Sequence, residues 1–417
     1  MEAIVPTGYK KTKVGIIPTD WNLYRIDEVL KRVRKPLEVK PDENYQEIGI
    51  RSHGKGLFYK KFTTIDEIGD KSVFWIEPDC FIVNIVFAWE QAIGKTTSNE
   101  IGMIASHRFP MYKPQKNVLD LDYLLYLFKS KRGKYLLGLA SPGGAGRNKT
   151  LGQGEFAELK IPLPSYQEQQ KIAHILTTWD EGIRKQEELI KEKEQLKKGL
   201  MQKLLSGEVR FDEFTDKWEE VKLGNIGDFK TSSVDKVINE DEHIVQLVNY
   251  MDVYKNKHIS KDSKCSSTSI KDEQLTKTNL QKGDILFTPS SETPDDIGHS
   301  AVIIEDLPNT VYSYHLVRFR PKKIIDIGFS GYVFNNQSIL KEFARRATGS
   351  TRFTLSIKDF NEIQAKLPSL QEQQKIAEIL SLADNGVDLL KNELEALKQQ
   401  KKGLMQKLLT GEVRVKV

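Results

Sequence analysis

Two stretches of this chain carry apolar positions in a regular alternation of four and three residues. Ile172, Leu176, Trp179, Ile183, Gln186, Ile190, Lys193, Lys197, Leu200 and Leu204 keep the frame in the first. Ile376, Leu380, Ala383, Val387, Leu390, Leu394, Leu397, Lys401, Leu404 and Leu408 keep it in the second. A mean spacing of 3.5 residues holds one helical stripe against a partner helix, so each stretch predicts a coiled-coil helix. Each would run roughly 40 residues, or about 60 Å at 1.5 Å per residue. Pro164 and Pro368 precede the two stretches, and Ser206-Gly207 and Thr410-Gly411 follow them, in keeping with helix starts and stops.

The first seam holds Gln186, Lys193 and Lys197 and makes a poor zipper with itself, whereas the second is nearly all apolar over the same stretch. Each therefore finds its natural partner in the other. Antiparallel packing about a pseudo-twofold axis would pair layers whose numbers sum to 580: Ile172 by Leu408, Leu176 by Leu404, Trp179 by Lys401, Ile190 by Leu390 and Lys197 by Ala383. The competing arrangement lays each stripe on its own globular domain.

The two stretches are also copies. Residues 167–211 and 371–415 align without a gap at an offset of 204, with 25 of 45 positions identical. Two copies separated by long dissimilar segments exclude a solenoid and imply a duplicated two-part module. The unlike segments, 1–166 and 212–370, open alike (DWNLYRIDEVL, KWEEVKLGNIG) and close alike (KTLGQGEFAELKIPLPS, FTLSIKDFNEIQAKLPS). Between these ends lie short β-type runs such as CFIVNIVFAW, GDILFTP and HLVRFRP among Gly, Pro and Ser loops. The expected fold is α+β: two domains of one fold with diverged interiors, joined by two long antiparallel helices. The expected boundaries are 1–166, 167–211, 212–370 and 371–417.

Composition narrows the class. The chain has 417 residues, 29% of them charged, and a mean hydropathy of −0.47. It shows no apolar run of membrane-spanning length and no signal-peptide core at its start. Cys80 and Cys265 are isolated, so neither a disulfide framework nor a metal site is indicated, and a reduced cytoplasmic protein is expected. The net charge is +6 over 1–165, +1 over 166–211, −3 over 212–369 and +1 over the tail. The first head suits phosphate binding, while the second must cluster what positive charge it has. Charge alone leaves DNA binding open.

The blocks LPSYQEQQKIAHIL with KKGLMQKLLSGEVRF, and LPSLQEQQKIAEIL with KKGLMQKLLTGEVRV, resemble those of the specificity subunit of type I restriction-modification systems. NIVFAWEQAIG, GDILFTPSSETPDDIG and ATGSTRFTLS in the heads extend the likeness over essentially the whole chain. The resemblance implies two target recognition domains, each reading half of a split double-stranded DNA target, with conserved spacer helices between them. It further implies a subunit without catalytic activity that recruits two modification and two restriction subunits, which carry S-adenosylmethionine, ATP and Mg²⁺. No cofactor is then expected on this chain. The residues agree with a non-enzyme: adjacent prolines are absent, which excludes the [DNS]PP[YF] methyltransferase motif, and no GxxxxGK[ST] occurs to hold ATP.

The expected DNA contacts of the first head are Arg51, Ser52, His53, Trp89, Lys95, Thr96, Arg147, Asn148 and Lys149. Those of the second are Tyr250, Lys255, Lys257, Ser290, Ser291, Arg345, Arg346 and Arg352. All sit in loops flanking β-runs, with Arg and Lys suited to phosphates and the polar groups to base edges. Trp89 is as readily a core residue. Two other classes stay open: a two-headed coiled-coil adaptor for proteins, favoured by the acidic second head, and a self-sufficient methyltransferase, disfavoured by the missing motifs.

Overall fold

The computed structural model describes residues 5–40, 43–69, 71–144 and 149–417. The chain divides into two compact units, Met1–Glu187 with Glu393–Val417, and Glu188–Asn392. Both boundaries fall inside the long helices, because the ends of each helix pack into a head.

In the first unit the central sheet runs Leu30–Val33, Met111–Pro114, Phe81–Val83, Ile93–Lys95. A second sheet runs Leu57–Thr63, Tyr45–Ile50, Ile104–Ser106, Val73–Trp75, and Ile104–Ser106 lies parallel to Tyr45–Ile50. The second unit repeats this plan. Gly227–Thr231, Val317–Pro321, Ile285–Phe287 and Ser300–Ile303 hold the corresponding places in its central sheet, which His258–Ile259 extends. Its other sheet runs Ser266–Ile270, His243–Val248, Thr310–Tyr312, again with the last pair parallel. The heads are thus two copies of one α+β fold. Phe81–Val83 and Ile285–Phe287 are buried at every residue, which explains their unbroken apolar runs.

The run CFIVNIVFAW is a strand only as far as Val83. The Asn84 side chain accepts the Val86 N–H and turns the chain into a 3₁₀ turn, Ala88–Glu90. Local hydrogen bonding by asparagine here overrides β-propensity.

The two stretches with the 3.5-residue period are helices Tyr166–Ser206 and Leu370–Thr410. Ser165 and Ser369 cap their starts, each Oγ accepting the N–H three residues on (Glu168, 3.2 Å; Glu372, 3.3 Å). Both ends close on a left-handed glycine, Gly207 and Gly411, each at φ +74°. The N–H groups of Val209 and Val413 return to the carbonyls of Lys203 and Lys407, satisfying an orphan carbonyl of each last turn.

Within each unit the helices run antiparallel. In the first, Ile172, Ala173 and Leu176 share a core cluster with Leu404, Met405, Leu408 and Leu409. In the second, Leu200, Met201, Leu204 and Leu205 share one with Ile376, Ala377 and Leu380. These groupings match layers summing to 580, and the expected seam residues Trp179, Ile183, Ile190, Val387, Leu390, Leu394 and Leu397 are buried or half-buried. Antiparallel packing brings opposite ends of the repeated block together. Arg414 forks onto Glu168 (2.8 Å) and Asp20 in one unit, and Arg210 onto Glu372 (2.8 and 2.9 Å) in the other. Glu168 and Glu372 are almost wholly buried. Removing either arginine would leave a buried carboxylate without its charged partner, at a cost in stability. That contact explains why identity between the copies concentrates at the two ends of the block. Among the described residues no helix is long and apolar enough to cross a membrane.

Candidate nucleic-acid interface

Each head is fixed on its helices by the same small cluster. In the first unit the Tyr126 hydroxyl, on helix Leu121–Lys129, donates to Asp180 (2.7 Å) and lies 3.2 Å from Thr177. Lys401 from the other long helix pairs with the same Asp180 and lies 5.3 Å from the Tyr126 ring centre. In the second unit Tyr332, on helix Ile327–Val333, donates to Asp384 (2.8 Å) and lies 3.3 Å from Ser381, while Lys197 pairs with Asp384. Burial raises the Asp384 carboxyl, but Lys197, Lys257 and Tyr332 outweigh it and leave it below its ordinary value. Burial drives the hydroxyls of Tyr126 and Tyr332 well above the ordinary tyrosine range, so both donate as neutral groups.

A second anchor repeats beside it. Gln169 accepts the Asp120 N–H (2.9 Å) and Gln373 that of Asp326 (2.9 Å), tying each long helix to the N-cap of the next-packed head helix.

The second head offers the better-formed site. A cavity of about 520 Å³ is lined by Tyr250, Met251, Tyr254, Ser290, Ser291, Glu292, Thr293, Asp296, His315 and Arg352. Four expected contacts, Tyr250, Ser290, Ser291 and Arg352, therefore share one wall. Tyr250 donates to the Ser290 carbonyl (3.1 Å), and Arg352 donates to the Ser290 hydroxyl (3.1 Å). Burial raises the Tyr250 hydroxyl above its usual range. His315 is lowered, chiefly by burial and then by the nearby Arg352 charge, which favours its neutral form.

The other expected contacts of this head stand apart. Lys255 is exposed at the end of helix Tyr250–Lys255, and Arg345 is exposed in the last turn of helix Gln337–Arg346. Arg346 is turned inward to Glu342 (3.2 Å) and the Glu362 carbonyl. The Lys257 ammonium pairs with Asp384 (2.8 Å) and lies over the Tyr332 ring at 4.6 Å. It belongs to the anchor, where a lysine is needed to offset a half-buried carboxylate.

In the first head the expected residues gather at the 3₁₀ turn. The Ser52 hydroxyl donates to the Glu90 carboxylate (2.9 Å), and the His53 N–H donates to the Glu90 carbonyl (2.7 Å). His53 takes a left-handed φ of +62° to do so, a conformation that non-glycine residues adopt uncommonly. Trp89 is half-buried, donates to the Val86 carbonyl (3.2 Å), and carries the Lys149 ammonium 5.7 Å from its ring centre. Arg51 is exposed with its guanidinium 4.9 Å from the Phe58 ring centre. Lys95 instead pairs with Asp122 on a head helix. Thr96 is a correction: it is fully buried and its hydroxyl donates to the Glu77 carbonyl (2.6 Å), which leaves no exposed face for a base. Arg147 and Asn148 lie outside the described residues.

Sequence reasoning missed Tyr254, Asp296, His299 and His315. Tyr254 could have been found, since it follows Tyr250 by one helical turn. Asp296 and His299 converge on it only through the tertiary fold. Among the described residues no group of three or more His, Cys, Asp or Glu forms a metal-binding cluster.

A family model described as the type I restriction modification DNA specificity domain matches residues 18–195 and again 215–399. A putative type I restriction enzyme MjaX specificity subunit from Methanocaldococcus jannaschii is 26% identical, over 98% of this chain and 97% of that protein. The MjaVIII specificity subunit of the same organism is also 26% identical, over 96% and 94%. Among solved structures, a chain from work on assembly and conformational transition of the type I R-M system superposes with a TM-score of 0.65 at 16% identity, covering 95% of this chain and 99% of that one. The HsdS subunit of Thermoanaerobacter tengcongensis gives 0.58 at 17% identity, covering 95% and 98%. At such identities the structural likeness establishes the fold.

Proposed function

Because the chain belongs to the type I restriction modification DNA specificity family, we infer that it is the DNA-reading, non-catalytic subunit of a type I restriction-modification complex. Its role is sequence recognition, with one half of a split target read by each head. The observation that carries the reading is the contrast within the duplication. The anchors at Asp180 and Asp384 share an aspartate, a tyrosine hydroxyl and a lysine from the other long helix, whereas the loops of the heads present different chemistry: a Glu90–Trp89–Lys149 surface in one, a tyrosine- and arginine-lined cavity in the other. A duplicated scaffold with unlike reading loops suits an asymmetric bipartite target.

In this reading residues 1–166 and 212–370 are the recognition domains and 167–211 and 371–417 the spacer helices. Arg51, Ser52, His53, Trp89 and Lys149 serve the first half-site, and Tyr250, Ser290, Ser291 and Arg352 the second, with Lys95, Lys255 and Arg345 as outlying phosphate contacts. Duplication of the helical block supports two modification subunits, one per copy, and two restriction subunits beyond them, all in the cytoplasm. Chemistry and its cofactors reside in those partners.

Co-expression with the cognate modification subunit and mapping of methylated adenines tests this directly. A bipartite motif with a fixed gap is expected. Methylation at a short continuous motif, or none while the complex assembles, refutes the two-headed reading. Binding should also weaken steeply with salt, through counterion release from phosphates; a protein adaptor would lack that dependence on DNA.

A further inference from the structure

The second head's cavity holds an acid as well as a base. The Asp296 carboxylate receives the Tyr254 hydroxyl (3.1 and 3.0 Å to its two oxygens) and faces His299 Nε2 at 2.9 Å. An ionised carboxylate has about four acceptor positions, so capacity remains toward the cavity. Arg352, on the same cavity, gives one N–H to Ser290 out of the five a guanidinium carries. The two are joined by a rigid bridge. The Tyr250 and Tyr254 rings stack at 6.0 Å and 17°, and Tyr250 is bonded to the Ser290 carbonyl.

Resting on the reading of this head as a DNA reader, we propose that Asp296 and Arg352 are its specificity-determining pair and read one G·C base pair. Asp296 accepts the cytosine amino group, and Arg352 forks onto the guanine edge. A carboxylate on the cavity wall repels phosphate, so the occupant is a base edge and not the backbone. In the major groove, guanine displays two adjacent acceptors, which match an arginine fork, and its partner cytosine displays one donor, which matches a carboxylate. An A·T pair offers no adjacent pair of acceptors on one base. The net −3 charge of this segment is consistent with a head that relies on base edges more than on phosphates.

The test uses the complex of the full chain with its modification subunit. Adenine methylation is mapped for the wild type, Asp296→Asn and Arg352→Ala, and affinity is measured on the mapped site with 7-deazaguanine replacing each guanine of the second half in turn. Both variants should relax the same G·C position and leave the first half-site unchanged. Wild-type affinity should drop roughly 5- to 150-fold at one guanine analogue, and that drop should vanish in Arg352→Ala. A wild-type complex without a bipartite motif refutes the functional reading itself. A normal wild-type motif that both variants retain overturns this proposal alone. So does an Arg352→Ala complex that weakens evenly on all sequences with a shallower salt dependence, the mark of a phosphate contact. Should a variant abolish methylation, the analogue binding series still decides.

Discussion

Asp384→Asn should destabilise the second unit by about 2–3 kcal/mol, and the repeat-related Asp180→Asn should destabilise the first by only about 1 kcal/mol. Asp384 accepts from Lys197, Lys257 and Tyr332, and its side chain is 22% exposed. Breaking a fully buried pair costs about 3–5 kcal/mol, and an exposed one about 0–1. A half-buried carboxylate with two lysines falls between, since the stranded ammonium groups can turn partly to water. Asp180 is 46% exposed and serves one lysine, Lys401, with Tyr126 as its second partner, which places it near the lower limit.

The effect carries a pH signature. The Asp384 carboxyl lies below its ordinary value of 3.8 in the folded state, so its contribution is fully present above that value. It is lost as pH falls from about 3.8 through the lower folded-state pKa. The gap between wild type and Asp384→Asn should thus be level from pH 7 to about 5 and narrow in acid. Hydrogen exchange of amides in each unit, with urea melts at several pH values, reads both quantities. Equal losses for the two variants, or a gap unchanged at pH 3.5, would refute the reasoning.

Three further outcomes are expected. A chain carrying Ile190→Cys and Leu390→Cys should form an internal disulfide on oxidation, seen as a mobility shift on a non-reducing gel; no shift counts against the antiparallel register. Gly411→Ala should lower the thermal midpoint more than Gly207→Ala. Both sit at φ +74°, but a Cβ at 411 would lie 2.3 Å from Pro18 Cγ, whereas at 207 it meets Trp218 at an ordinary 3.6 Å. Burial pushes the thiols of Cys80 and Cys265 up to about 11, so the native protein should react with thiol reagents at pH 7.5 only slowly, and unfolding should release two fast-reacting groups.

The helical seam was legible because a 3.5-residue period is a local property of the sequence, and the shared numbering made the antiparallel partner layers calculable. What lies beside the seam was not. Lys197 and Lys401 read as defects in an apolar stripe, and the expected layers set them against Ala383 and Trp179. Their charges are met instead by Asp384 and Asp180, each one residue further along the helix, and by a tyrosine from the head. Tyr126 and Tyr332 are 206 residues apart, so the gapless offset of 204 that relates the helical blocks sets Tyr126 against Ser330 and does not pair the two tyrosines. The candidate loops fared likewise: Ser290 and Arg352 are polar residues beside β-runs in the sequence, yet only pairing of Ser290–Ser291 with Phe353–Thr354 brings them together. Thr96 failed because residue type cannot distinguish a loop polar group facing solvent from one satisfied inside the fold.

The two kinds of site obey opposite constraints, which accounts for the uneven divergence of the copies. An anchor such as Asp384 has three partners from three segments of the chain, Lys197, Lys257 and Tyr332, so a change at any one leaves the others short of a partner. Change there requires several simultaneous substitutions. A residue proposed to read DNA, such as Arg352, is exposed and gives the protein one hydrogen bond, so its replacement leaves little behind in the fold. The head can therefore exchange what it reads without disturbing how it is held. A fold meant to acquire new targets while keeping its assembly intact needs that separation, and here it runs between the polar clusters on the helices and the exposed loops of the heads.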